Sequence, residues 1–214
     1  MTEKKKPKAS PMGRTFVPSL FVLSGLSGAG KDAVLDGLKE SGTALHRVIT
    51  ATSRPPRNGE RDGYDYHFFT ASEFQNMIAR GELLEWAKVY ENYYGIPKKP
   101  VAAALTNGED TVVKVDVQGA LTIRRLVPQA VLIFLSPPSA EESADRLAKR
   151  GTEDADARKV RILTAEIELE QLAVFNYLVI NRHEKLAGAV ADVRAIINAE
   201  KCRLAKTPVN LPVA

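Results

Sequence analysis

The run Ser19-Leu-Phe-Val-Leu-Ser-Gly25, continued by Leu-Ser-Gly-Ala-Gly-Lys-Asp32, constrains the fold of this chain more than any other segment. An apolar, strand-like stretch ends in a glycine, further glycines follow at 28 and 30, and Val34, Leu35 and Leu38 then fall on one face of a helix. Glycine reaches backbone conformations closed to other residues, so consecutive amide N–H groups in such a loop can converge on one anion. The helix that follows adds the positive end of its dipole, and Lys31 adds a mobile charge. The spacing of Gly25, Gly30 and Lys31 fits the phosphate-cradling pattern G-x-x-x-x-G-K-[ST], whose last position supplies a hydroxyl to magnesium, but here that position is Asp32. A glycine-rich turn without a ligand is the plainer reading of the same residues. The strand before the loop and the helix after it favour the phosphate cradle.

The rest of the chain repeats this alternation. Residues 111–115 (TVVKV), 130–136 (AVLIFLS) and 176–181 (NYLVIN) are short runs rich in branched side chains, as strands buried on both faces of a parallel sheet should be. Helix-length segments separate them, and in the last of these Leu186, Ala189, Val190, Val193, Ile196 and Ile197 form one apolar stripe. The pattern predicts an α/β fold with right-handed crossovers, which binds ligands at the carboxyl ends of its strands. Residues 51–67 interrupt the rhythm with prolines, glycines and arginines, and residues 68–95 read as strand, helix and strand before a tight Tyr93-Tyr94-Gly95 turn. This predicts an inserted lobe. Residues 146–161, with arginines at 146, 150, 158 and 161, are too charged to be core.

With 44% hydrophobic and 26% charged residues among 214, the chain can bury one sizeable core. Its formal charge of +4 is accounted for by Lys4, Lys5, Lys6, Lys8 and Arg14 against Glu3, so the remainder is neutral and offers no specific nucleic-acid surface. Residues 1–17 and 205–214 are expected to be disordered tails. Cys202 is the lone cysteine, which suits a reducing compartment, and His46, His67 and His183 lack metal-ligand spacing. No run approaches the length that crosses a bilayer. The expectation is a cytoplasmic protein without a membrane partner, monomeric or homo-oligomeric.

Taken together and in order, SGLSGAGK (24–31), TSRPPRNGERDGYDYHFF (52–69), LLEWAKVYENYYG (83–95), VDVQGA (115–120), LIFLSPPS (132–139) and RLAKRGTE (146–153) resemble the guanylate kinase family. The resemblance runs from about residue 19 to about residue 204. It implies a P-loop kinase fold at 18–204, with a parallel sheet core flanked by helices (18–50 and 97–204), an inserted GMP-binding lobe (51–96) and a lid at about 139–165. It also implies transfer of a phosphoryl group from ATP to GMP or dGMP, with Mg2+.

Residue by residue, the resemblance assigns ATP contacts to Gly25, Ser27, Gly28, Ala29, Gly30, Lys31 and Asp32, and places Asn181 near the ATP base. It assigns GMP contacts to Thr50, Arg54, Arg57, Tyr66, Glu85, Tyr94 and Asp116. The catalytic charges fall on Lys31, Arg54, Arg146, Arg150 and Arg161. The residue types suit the chemistry, since guanidinium forks match a phosphate dianion and tyrosine hydroxyls add neutral donors. Guanine presents N1–H and N2–H₂ as adjacent donors that one carboxylate, Glu85, can accept together, whereas adenine offers a lone pair at N1. Asp32 and Asp116 are the carboxylates that could face the metal. Asp116 could instead cap the helix beginning near Gln118, and Asp32 could simply favour a helix N-terminus.

The sequence departs from the family pattern in three respects. Asp32 and Ala33 stand where at least one hydroxyl is usual. Ile96 replaces a Ser or Thr that commonly touches guanine, a loss of about 0.5–1.5 kcal/mol in GMP binding unless water substitutes. Lys114 occupies a position that is often acidic. Two other readings stay open. A ribose 1,5-bisphosphate kinase of the same fold can also carry Gly-Lys-Asp, but would not require Arg54, Arg57, Tyr66 and Glu85. A non-catalytic guanylate-kinase-like interaction module would not require the intact loop and lid.

Overall fold

The computed structural model describes residues 16–89, 91–139, 142, 155–204 and 206–212, the side chains of 155–162 excepted. The first half of the chain runs β1 (Leu20–Gly25), α1 (Lys31–Glu40), β2 (His46–Arg47), β3 (Ala51–Thr52), β4 (His67–Phe68), α2 (Ala71–Ala79), β5 (Leu83–Val89) and β6 (Asn92–Pro97). The second half runs α3 (Lys98–Thr106), β7 (Thr111–Lys114), α4 (Val117–Leu126), β8 (Val131–Ser136), α5 (Ala155–Glu170), a short 3-10 turn, β9 (Tyr177–Ile180) and α6 (Leu186–Cys202).

Five strands form a parallel sheet in the order β2-β7-β1-β8-β9, with the glycine-ended β1 at its centre and every one of its residues buried. Side chains alternate across a strand, so this run supplies both faces. Phe21 and Leu23 pack with Val34, Leu35 and Leu38 of α1 and with Val190, Val193 and Ile197 of α6. Leu20 and Val22 pack on the opposite face with Val101 of α3, Ile123 of α4 and Leu132. Helices therefore cover both sides of the sheet, as the four apolar runs and the stripe from Leu186 to Ile197 predict. The fifth strand, β2, has only two residues and no apolar alternation of its own; it forms because its backbone pairs with the edge of β7.

Residues 51–97 build a second sheet, ordered β4-β3-β6-β5. Helix α2 packs on it through Phe74 and Met77, which join Ala51 and Leu83 in a separate small core. Its start is set by a capping box: Glu73 N–H donates to Thr70 Oγ1 at 3.2 Å and Thr70 N–H donates to Glu73 Oε2 at 2.7 Å.

Two expectations are corrected here. Tyr93-Tyr94-Gly95 is not a turn: it lies within β6, paired with both β5 and β3, and the chain reverses earlier, between the paired Val89 and Asn92. The Tyr93 ring stacks on Phe74 at 5.4 Å, and a side chain at Gly95 would come within 2.8 Å of the Glu85 carbonyl, so this glycine serves close approach. Likewise residues 206–212 are not a free tail, because Val209 and Leu211 pack against the core around Leu20 and Leu132. The expected N-terminal tail, apart from Phe16 and Val17, and most of the expected lid lie outside the described residues.

Candidate active site

The loop leaves β1 through Gly25, at φ +129°, where a Cβ would sit 1.9 Å from the Leu135 carbonyl oxygen of the neighbouring strand. No side chain fits there. Gly30, at φ +91°, precedes the first turn of α1. Asn181, just past β9, donates from Nδ2 to the Ala29 carbonyl at 2.8 Å, while its own N–H donates to Ser136 at 2.8 Å. The loop is thereby tied to the far strands, and Asn181 lies against it rather than merely beside a base pocket. Lys31 folds back over the loop, its Nζ donating to the carbonyls of Gly25 at 2.7 Å and Leu26 at 3.0 Å. Burial lowers the Lys31 ammonium to about 8, against the opposing pull of the Glu168 carboxylate on α5. Burial likewise raises Glu168.

A cleft of about 300 Å³ opens between the carboxyl edge of the main sheet and the lobe. Lys31 and Asp32 enter it from the start of α1, Thr50, Tyr66, Glu85 and Tyr94 from the lobe side, and Lys114 and Asp116 from the end of β7. Seven of the residues proposed from the sequence thus meet in one place although they are spread over some eighty positions.

Glu85 is 7% exposed, without an ion-pair partner among the described residues. Burial, with the Asp116 carboxylate adding to it, pushes its carboxyl up to about 8. Gly119 makes room for it, since a Cβ there would lie 3.0 Å from Glu85 Cδ. Asp116 caps α4, accepting from the Gly119 N–H at 2.7 Å, so the helix starts at Val117. Arg54 is clamped by both oxygens of Glu60 at 2.9 Å and lies 5.5 Å from the centre of the Tyr66 ring. Glu60 also accepts the Arg57 N–H at 2.7 Å, so one carboxylate shapes the Ser-Arg-Pro-Pro-Arg loop, while Arg57 itself is exposed. Ile96 is fully buried in the core with Leu84 and Val101 and, though paired with Glu85 across the sheet, does not line the cleft.

Asp32 sits in an ion network. Its Oδ1 accepts from Lys114 Nζ at 2.7 Å and from Arg47 Nη2 at 2.9 Å, and Arg47 Nη1 donates to Asp36 at 2.9 Å. Partial desolvation beside the protein would raise the Asp32 carboxyl although its side chain is exposed; Lys114 and Arg47 override this and hold the group below its ordinary range. A magnesium ion on this oxygen would have to displace an ammonium and a guanidinium. Among the described residues no group of three His, Cys, Asp or Glu side chains could hold a metal ion. The donor set therefore does not fit a resident metal at Asp32.

Arg146 and Arg150 lie outside the described residues; Arg161 lies on α5, its side chain outside them. Arg47, Lys114 and Glu168 join the site without having been assigned to it from the sequence. Two of them carried a signal: Lys114 as a cation at an often acidic position two residues before Asp116, and Glu168 seven residues and two helical turns beyond Arg161.

A parallel sheet with a glycine loop between its central strand and the first helix, faced by a small second sheet across a cleft, defines a nucleotide kinase of the P-loop class. The guanylate kinase family profile matches residues 18–200. The chain is 46% identical over 185 residues to the guanylate kinase of Caldanaerobacter subterraneus subsp. tengcongensis, covering 86% of this chain and 89% of that one. It is 45% identical over 204 residues to guanylate kinase 2, chloroplastic/mitochondrial, of Oryza sativa subsp. japonica, covering 95% and 72% respectively. The crystal structure of guanylate kinase from Anaplasma phagocytophilum superposes with a TM-score of 0.72 at 28% identity, covering 88% of this chain and 89% of that one. The chain belongs to the guanylate kinase family.

Proposed function

We propose that this chain transfers the terminal phosphoryl group of MgATP to GMP or dGMP, forming ADP and the corresponding diphosphate. The observation that carries the reading is Glu85, a buried carboxyl facing the same cleft as the loop lysine. A base-free sugar phosphate lacks the paired N–H donors of guanine and does not require such a group, and a non-catalytic module has no use for Lys31 and its loop.

In this reading the amides of Gly25 to Lys31 and the Lys31 ammonium hold the donor phosphates. Arg54, Arg57, Tyr66 and Tyr94 grip the GMP phosphate, while Glu85 and Thr50 read guanine. Arg146, Arg150 and Arg161 close over the transferred group. The GMP phosphate is already a nucleophilic dianion, so no general base is required; the protein aligns two anions and offsets their repulsion. Magnesium carried on ATP supplies further charge neutralisation. Glu85, pushed up to about 8 by burial, holds its proton at neutral pH and releases it to solvent when the two guanine donors arrive. Closure excludes water as a competing acceptor.

The setting that fits is purine nucleotide metabolism in the cytoplasm, where a lone cysteine stays reduced. No helix among the described residues is long and apolar enough to cross a membrane. A coupled assay of ADP release with GMP, dGMP, AMP and ribose 1,5-bisphosphate tests the reading: turnover is expected with the two guanine nucleotides, and turnover with the sugar bisphosphate alone overturns it.

A further inference from the structure

We propose that Lys114 is a further catalytic residue, its ammonium held against the reacting phosphates by Asp32, and that Asp32 is a positioning residue rather than a metal ligand. The proposal rests on the phosphoryl-transfer reading above and adds to it a charge that reading leaves unused.

The placement follows from the sheet. Lys114 is the last residue of β7, in register with Leu23 of β1, so it leaves the sheet at the carboxyl edge beside the loop. Its Nζ lies 2.7 Å from Asp32 Oδ1, at the start of the helix that follows the donor loop, and 5.3 Å from the centre of the Tyr66 ring on the acceptor side. The ammonium therefore stands between the two groups of phosphate contacts. Its side chain is only 15% exposed whereas that of Asp32 is 60% exposed, so the lysine stem is packed and the carboxylate reaches it from the open side.

Asp32 is in turn steered by Arg47, which also engages Asp36. Two cations and two carboxylates alternate along this network, so it fixes the Lys114 ammonium in place without adding excess charge to the cleft. An ammonium has three donors and Asp32 takes one. Lys31 and Lys114 repel each other, which is one reason the Lys31 ammonium is weakened, and an incoming phosphate relieves that repulsion. A fixed cation aimed where negative charge spreads during transfer stabilises the transition state more than the ground state.

The test measures GMP-dependent ADP release, KM for each nucleotide, the magnesium requirement and thermal unfolding for wild type, Lys114→Met, Lys114→Arg, Asp32→Asn and the Lys114→Met/Asp32→Asn pair. Lys114→Met is expected to lower kcat by about 10²-fold with KM for ATP changed less than about threefold, and Lys114→Arg to restore about tenfold of that loss. Asp32→Asn is expected to lower kcat by about tenfold at an unchanged magnesium requirement, and the double variant to be no slower than Lys114→Met. Asp32 is exposed, so its variant reports on the contact even if Lys114→Met loses its fold. With wild type active on GMP, a kcat within about threefold of wild type in Asp32→Asn, or a raised magnesium requirement with multiplying effects in the pair, overturns the proposal. Wild type inactive with GMP overturns the parent reading, and this proposal with it.

Discussion

Replacing Glu85 by glutamine separates three consequences of burying one carboxyl. In the folded chain the group stands at about 8 against an ordinary 4.5. Between those values the native state holds a proton that the unfolded chain releases, so stability falls as pH rises through that window. At about 1.4 kcal/mol for each pH unit the full difference would approach about 5 kcal/mol. The cleft is open to water, which lowers the cost of ionising in place, and we expect about 1–2 kcal/mol to survive. Glutamine is neutral throughout, so Glu85→Gln should gain on wild type by that amount between urea melts at pH 5 and pH 8.5.

The same proton governs substrate capture. With ATP saturating, kcat/KM for GMP should climb nearly tenfold per pH unit as pH rises towards 8 and then level off. The GMP phosphate ionises separately near about 6. The variant should keep the lower inflection, lose the upper one, and lose discrimination of GMP over AMP by about 10²–10³-fold, since two charge-assisted hydrogen bonds of about 1.5–3 kcal/mol each are only partly replaced. A Glu85→Gln protein that retained both the upper inflection and the discrimination would refute the assignment.

Other perturbations address single contacts. Gly30→Ala puts a Cβ 2.6 Å from Asn181 Nδ2 at a φ of +91°, so it should raise KM for ATP by about tenfold or more and cost about 1–3 kcal/mol of stability, read by kinetics and thermal melts. Gly119→Ala places a methyl 3.0 Å from Glu85 Cδ, and KM for GMP should rise about tenfold with KM for ATP unmoved. Lys31 must be charged to hold phosphates, and its ammonium is lowered to about 8; kcat/KM for ATP should therefore fall above pH 8, and Lys31→Ala should abolish turnover. Thr70→Ala removes one half of the capping box on α2, costing about 1 kcal/mol in denaturant melts while leaving kcat within error.

The parts of the fold that were legible in the sequence are those whose burial is local. Every residue of β1 is buried, so its apolar run alone announces a central strand, and the stripe on α6 meets that strand's face directly. Strand β2 had no such signal, because its place comes from backbone pairing with a neighbour sixty-odd residues away. Tyr93-Tyr94-Gly95 lies in a strand and not in the expected turn for a related reason. Glycine beside tyrosines is turn chemistry locally, yet Gly95 is small because the Glu85 backbone passes 2.8 Å from where its Cβ would be. Val209 and Leu211 are too few to form a pattern, and only the waiting core face orders them.

The site divides along the same line. Loop residues adjacent in sequence could be read as one device, and the family resemblance supplied the lobe residues that now line the cleft. Asp116 was posed as either a helix cap or a substrate-facing carboxylate, but the geometry allows both, since one oxygen accepts the Gly119 N–H and the residue still lines the cleft. Asp32 and Lys114 were two unrelated departures, 82 positions apart. Each alone is unfavourable: an aspartate brings negative charge towards ATP, and a lysine in a cleft that already holds Lys31 brings like-charge repulsion. At 2.7 Å each offsets the other's charge, so the aspartate beside the loop lysine and the cation at the end of β7 are favourable together. Coupled changes of this kind cannot be weighed one position at a time, because the sign of each depends on the residue it touches.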